Sequence, residues 1–172
     1  MKALIAGVGN IFLTDDGFGP EVLRQFSGSE LPPEFTAVDF GIRGLHLTYE
    51  LLEGYDVLVI VDAAPRGEAP GTVTLVEVDP AGVGAPEDGP LLDAHGMEPV
   101  AILRTLGSLG GRVDRIYVLA CEPAVTAEGM GLTPVVAAAV PESVAALRGL
   151  VERLAAETRP NVGRTTVEEV ST

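Results

Sequence analysis

Three short runs of apolar residues constrain the fold of this 172-residue chain more than any other feature. They lie at residues 2–8 (KALIAGV), 56–63 (DVLVIVDA) and 115–121 (RIYVLAC). Such runs, which lack polar alternation, are typical of parallel strands buried on both faces. Stretches with helical spacing separate them, so the pattern predicts an α/β domain whose central sheet is covered by helices on both faces.

Further elements are expected between and after these runs. Helices are predicted at residues 17–28, 44–53 and 97–107. The stretch 70–79, PGTVTLVEVD, roughly alternates apolar and polar residues after a Pro-Gly turn. That alternation predicts a half-exposed, antiparallel strand at an edge of the sheet.

The last predicted element is a long helix that begins at Pro134. Thr133 is a candidate N-cap, and proline is well suited to the first helical position. Apolar residues recur at spacings of three and four as far as Leu154. Pro141 lies within this pattern and is expected to kink the helix or to split it in two.

One domain is expected over residues 1–157, and residues 158–172 have no periodicity and are expected to form a flexible tail. Residues 80–94 are rich in glycine and proline and lead directly into His95. A loop of this length inside a compact domain is usually functional or mobile.

Composition narrows the classes of partner and location. Acidic residues exceed basic ones by 14, which argues against nucleic acid as a partner and favours a metal or a basic peptide. No apolar run approaches the length of a membrane helix, so no membrane association is expected. The single cysteine, Cys121, excludes an internal disulfide and fits the cytoplasm. We expect a cytoplasmic monomer.

The stretch GVGNIFLTDDGFGPEV, at residues 7–22, allows three interpretations. A dinucleotide-binding loop needs a third glycine where the chain has Phe12, and a P-loop needs a lysine that is absent. An aspartate before a helix commonly caps its free N–H groups. One aspartate is enough for that, so we expect a local backbone role for Asp15 and leave Asp16 free to act as a ligand or base.

Other candidate residues follow the predicted strands. Asp62 ends an apolar run, where an unpaired charge would be costly unless a cation or a donor met it. Asp39 is expected at the end of the second strand, where it could also imitate the ribose-binding acid of a nucleotide site. His95 is the better placed of two histidines, since His46 falls in a helix and is expected to be structural. Two carboxylates and an imidazole suit a divalent first-row metal.

Five stretches, in this order, carry a resemblance to a known family. GVGNIFLTDDGFG, VDFGIRG, VIVDA, DAHGM and GLTPVV resemble the maturation endopeptidases of nickel–iron hydrogenases, over residues 3–155. The resemblance implies an α/β/α sandwich of three layers around a mostly parallel, five-stranded sheet. It also implies that Asp16, Asp62 and His95 bind a metal, and Asp39 matches a further acidic position, which makes these four the candidate catalytic residues.

The function implied by the resemblance is a metal-dependent endopeptidase. Such an enzyme removes the C-terminal extension of a hydrogenase large-subunit precursor after nickel insertion, with the nickel supplied by that precursor. Two alternatives remain open at this point. One is a non-catalytic module of the same fold that binds nickel or the precursor as a checkpoint, and the other is a nucleotide-binding module.

Overall fold

The computed structural model describes residues 1–28, 30–80 and 99–158. Within these residues, five strands form one sheet, and four α-helices and a short 3-10 helix surround it. In chain order the elements are β1 (Ala3–Val8), the 3-10 helix (Thr14–Gly17), α1 (Phe18–Phe26), β2 (Phe35–Gly41), α2 (Gly44–Leu51), β3 (Val57–Ala63), β4 (Val73–Val78), α3 (Pro99–Ser108), β5 (Arg115–Cys121) and α4 (Pro134–Thr158).

The strands lie in the order β2-β1-β3-β5-β4. The pairs β1–β2, β1–β3 and β3–β5 are parallel, and β4 pairs with β5 in the antiparallel direction. Both predictions for the sheet, a parallel centre and an antiparallel edge strand, are therefore confirmed. The next two strands in the chain, β2 and β3, lie on opposite sides of β1. In α/β sheets, such a reversal of strand order places a crevice beyond the carboxyl ends of the two neighbouring strands, here β1 and β3.

Helices cover both faces of the sheet and make three layers. Side chains of α1 and α4 pack with alternate residues of β1, β3 and β5 into one core. Side chains of α2 and α3 pack with the intervening residues of the same strands into a second core. This division explains the uninterrupted apolar runs, since successive apolar residues of a central strand face the two cores in turn.

Helix α4 runs without interruption through Pro141, so the predicted split is wrong. Proline has no N–H, so the carbonyl of Ala137 receives no helical hydrogen bond from residue 141. Pro141 and Ala137 are both exposed to solvent. Among the described residues, α4 is the one helix long and apolar enough to cross a membrane by length and composition. Its apolar stripe packs into the first core, which accounts for that composition.

Two predictions fall on segments outside the described residues. The glycine- and proline-rich loop lies almost entirely within residues 81–98, and the tail beyond Thr158 lies within residues 159–172. Thr158 itself is the last residue of α4, one position beyond the boundary expected for the domain.

Candidate active site

The glycines after β1 bring the chain back over the carboxyl edge of the sheet. Gly9 has φ +133°, and a Cβ there would lie 1.8 Å from the backbone oxygen of Asp16. Gly19, in the first turn of α1, lies against the backbone oxygens of Val8 and Val61, each 2.3 Å from where a Cβ would be. Only residues without a side chain permit these approaches. The glycines therefore seat the two aspartates above the ends of β1 and β3.

Asp15 is fully buried and is bound by residues from the far end of the chain. Its carboxylate accepts hydrogen bonds from the backbone N–H groups of Ala124, Val125 and Thr133 at 2.8, 2.9 and 2.7 Å. The Thr133 hydroxyl also donates to both carboxylate oxygens, at 3.0 Å. The predicted local role is therefore wrong: Asp15 anchors the segment that leads into α4, and neither helix start shows an aspartate cap.

Asp16 turns the other way, toward the crevice. Its Oδ2 accepts a hydrogen bond from the backbone N–H of Asn10 at 2.7 Å, and its side chain is partly exposed. This bond orients the carboxylate. The arrangement agrees with the prediction that one aspartate of the pair has a structural role and its neighbour faces the site.

Asp62 lies at the carboxyl end of β3, directly after five buried residues. Removal from water, and to a smaller extent the nearby negative charge of Asp16, raises the pKa of this carboxyl from 3.8 to about 8. A hydrogen bond from the backbone N–H of Ala63 acts in the opposite direction. The structure thus brings Asp16 and Asp62 close enough to repel each other, a situation that a bound cation would relieve.

The other predicted residues are distributed around this pair. Asp39 is exposed near the end of β2, and its Oδ1 accepts the backbone N–H of Gly41 at 2.9 Å. His95 lies outside the described residues. Within residues 1–28, 30–80 and 99–158, no group of three or more His, Cys, Asp or Glu side chains is placed to hold a metal ion. His46 is exposed on α2, as expected of a residue outside the site.

Cys121 ends β5 in the core, where burial raises the pKa of its thiol to about 11. A thiol that stays protonated at neutral pH is a poor nucleophile, which agrees with its interpretation as a core residue. The two carboxylates at the crevice also oppose the binding of phosphate there. The geometry suits a cation with open coordination positions better than it suits a nucleotide.

Comparison with solved structures defines the class. The Escherichia coli hydrogenase maturating endopeptidase HybD superimposes with a TM-score of 0.73 and is 25% identical, covering 90% of this chain and 94% of that protein. A hydrogenase 2 maturation peptidase from Thaumarchaeota archaeon SCGC_AB-539-E09 gives a TM-score of 0.65 at 26% identity over 90% of this chain and 98% of its own. The fold is that of the α/β maturation endopeptidases.

Sequence comparison narrows this class to a family. The family model of hydrogenase maturation proteases (HycI) matches residues 20–149. The delta subunit of the coenzyme F420 hydrogenase of Methanothermobacter thermautotrophicus is 31% identical over 83% of this chain and 90% of its own length. The hydrogenase 2 maturation protease of Escherichia coli is 28% identical over 86% and 92%. The chain belongs to the hydrogenase maturation protease family.

Proposed function

We propose that the chain is a nickel-dependent endopeptidase that removes the C-terminal extension of a nickel–iron hydrogenase large-subunit precursor after nickel insertion. The observation that supports this most directly is that the carboxylates of Asp16 and Asp62 lie close together beyond the ends of β1 and β3 and that Asp62 is strongly desolvated. Such a pair lowers its mutual repulsion by binding a cation. His95, at its position in the sequence, would complete the ligand set.

In this proposal the nickel belongs to the substrate. Asp16 would offer its free carboxylate oxygen, since Asn10 holds the other, and Asp62 would offer a carboxylate that becomes ionised when the metal arrives. The ion would polarise the scissile carbonyl or activate water. A metal supplied by the precursor fits a chain whose sequence has no local cluster of metal ligands such as H-E-x-x-H.

The first prediction tests this activity. Purified protein is mixed with nickel-loaded precursor and with nickel-free precursor, and intact mass is measured over time. We expect a C-terminal peptide to be released from the nickel-loaded form alone. Asp16→Asn, Asp62→Asn and His95→Ala should each slow release by about a hundredfold or more, the usual scale for loss of a metal ligand or its partner.

The control is Asp114→Asn, which removes an exposed carboxylate in the linker before β5. It should process the precursor at the wild-type rate. Equal release from nickel-free precursor would contradict the nickel dependence, and full activity of His95→Ala would contradict the ligand assignment. A stable complex with no change of mass would instead support the checkpoint module.

A further inference from the structure

A groove beside the candidate active site takes no part in the metal binding proposed above, although the candidate residue Asp39 lies in its lining. It is open to solvent, has a volume of about 520 Å³ and lies between the loop after β1, α1 and the segment before α4. Its lining includes Ile11, Gly17, Asp39, Met130, Leu132 and Val140. We call it the Met130 groove. Gly17, which lines the groove, follows Asp16 directly in the chain.

Large apolar side chains stand exposed at this groove. Met130 is 75% exposed and Ile11 is 46% exposed, and the neighbouring Phe12 is 61% exposed. Methionine is flexible and polarisable and is common on surfaces that accept varied apolar partners. A cluster of this kind near a polar rim is typical of a surface that binds another polypeptide.

The backbone that displays these side chains is firmly held. Gly129 donates its N–H to Phe12 O at 2.9 Å, and Thr14 donates its N–H to Gly129 O at 2.9 Å. The Thr14 hydroxyl donates to Ala127 O at 2.7 Å. Below them, the buried carboxylate of Asp15 binds the same segment. The apolar side chains are therefore presented on an ordered support, which lowers the entropy lost on binding.

Charge distinguishes between possible occupants. Glu21, on the wall of the groove, is compensated by Arg24, whose Nε and Nη2 donate to it at 2.8 Å. Asp39 accepts a backbone N–H, and no ion pair of the described residues includes it. The chain as a whole carries a net charge of −14. Arg43 Nη2 donates to the backbone oxygen of Asp39 at 2.7 Å, not to its carboxylate. An apolar groove whose edge carboxylate forms no ion pair among the described residues favours a ligand that is apolar and basic.

We propose that the Met130 groove binds an extended segment of the precursor, placing an apolar side chain against Met130 and Ile11 and a basic side chain near Asp39. This inference rests on the proposed function, because it takes the precursor as the partner. The groove would supply affinity for the precursor, while the neighbouring crevice carries out cleavage.

The second prediction separates binding from cleavage. KM and kcat are measured with nickel-loaded precursor for Met130→Ser and Ile11→Ser. Each should raise KM about tenfold, the effect of losing a well-packed apolar contact, while kcat changes less than twofold. Met130→Leu, which restores an apolar side chain, should recover most of the lost affinity. Leu109→Ser, at a leucine after α3 that is 51% exposed, is the control and should leave KM unchanged.

A binding measurement keeps this inference separate from the proposed function. The dissociation constant of the precursor is measured with the Asp62→Asn protein, with and without Met130→Ser. About tenfold weaker binding in the double variant supports the groove even if no cleavage by the wild-type protein is ever seen. Equal binding, or a loss confined to kcat, would overturn it. So would a wild-type dimer that Met130→Ser dissociates in analytical ultracentrifugation, since the occupant would then be a second copy.

The basic half of the ligand is tested through Asp39. Asp39→Asn should raise KM and reduce the dependence of KM on salt concentration, because one screened attraction is lost. A fall in kcat with unchanged KM would contradict this role and would favour a direct part for Asp39 in the reaction.

Discussion

Asp15 and Asp16 are neighbours in the sequence with opposite surroundings. Among the described residues, the buried Asp15 accepts hydrogen bonds from three backbone N–H groups, whereas the partly exposed Asp16 accepts one. The 3-10 helix over Thr14–Gly17 directs the two side chains to different sides of the loop. One residue therefore fixes the loop, and the next is available to a ligand.

The third prediction concerns this pair. Asp15→Asn is isosteric but turns one acceptor oxygen into a donor that opposes the N–H groups around it. We expect the free energy of unfolding to fall by about 3 kcal/mol, as for buried polar groups that lose their partners. Asp16→Asn should change it by less than about 1 kcal/mol, since the group is partly exposed. Urea denaturation followed by circular dichroism measures the free energy of unfolding of both variants. Equal losses of stability would contradict the structural role assigned to Asp15 alone.

The sequence indicated that one aspartate of this pair would be structural, but it could not identify the partners. The N–H groups that bind Asp15 lie 109 to 118 positions further along the chain, and such a contact leaves no local pattern. The Met130 groove was missed for the same reason. Its walls come from the loop after β1 and the segment before α4, which only the tertiary structure places side by side.

At the scale of the elements, the position of α1 depends on its first turn. Gly19 lies there against the backbone of β1 and β3, so the start of α1 seats directly on the strand ends that carry the site. Close approach of a helix to a sheet at this point orders the loop that holds Asp16.

The fourth prediction compares two glycines within helices. Gly19→Ala places a methyl group 2.3 Å from the backbone oxygens of Val8 and Val61, which cannot move as a side chain can. We expect α1 to shift, with a loss of about 3 kcal/mol of stability. Gly149→Ala in α4 meets nothing within 4 Å and should stabilise the protein by about 0.5–1 kcal/mol. Thermal and urea unfolding measure the stability of both variants. Similar effects of the two substitutions would contradict the close contact of Gly19 with the strand ends.

Elements with a strong local signal were predictable. The apolar runs gave β1, β3 and β5, and the Pro-Gly turn with alternation gave β4, because burial on one or two faces leaves its period in the sequence. Pro141 led to the prediction of a kink or a split in α4, and the split is wrong. A proline forfeits one hydrogen bond, but here the packing of the apolar stripe on either side of it keeps the helix continuous.

At the scale of the whole molecule, strand order determines where the carboxylates meet. Asp16 follows β1 and Asp62 ends β3, and these strands are neighbours with the crevice between their helices. The prediction that functional groups gather at this edge came from the α/β pattern alone. The metal assignment for Asp16, Asp62 and His95 came from the family resemblance, since their spacing carries no local signature, and it stays a prediction.

The fifth prediction concerns the dependence of stability on pH. The pKa of Asp62 is about 8 in the folded protein and near 3.8 when unfolded, so between these values the folded state holds a proton that the unfolded state releases. Its contribution to stability is therefore present below pH 4 and is lost as pH rises to about 8. Asp62→Asn stays neutral and should be more stable than wild type at pH 8, by more than about 1.4 kcal/mol, the equivalent of one pKa unit.

Urea denaturation of both proteins at pH 4 and pH 8 in metal-free buffer measures this difference. The two free energies of unfolding should approach each other at pH 4, where Asp62 is protonated in the folded state. Asp114→Asn, which alters an exposed carboxylate, should show no such divergence. A difference between wild type and Asp62→Asn that is independent of pH would show that the carboxylate is not destabilised by its burial.

The anchoring of Asp15 also sets an order of events during synthesis. The acceptor is made near the start of the chain, and its donors, Ala124, Val125 and Thr133, leave the ribosome more than a hundred residues later. Contacts so distant in sequence form late, after the loops between them have closed. The loop that presents Asp16 therefore acquires its final support only when most of the chain has emerged, and a shorter nascent chain holds this loop without its anchor.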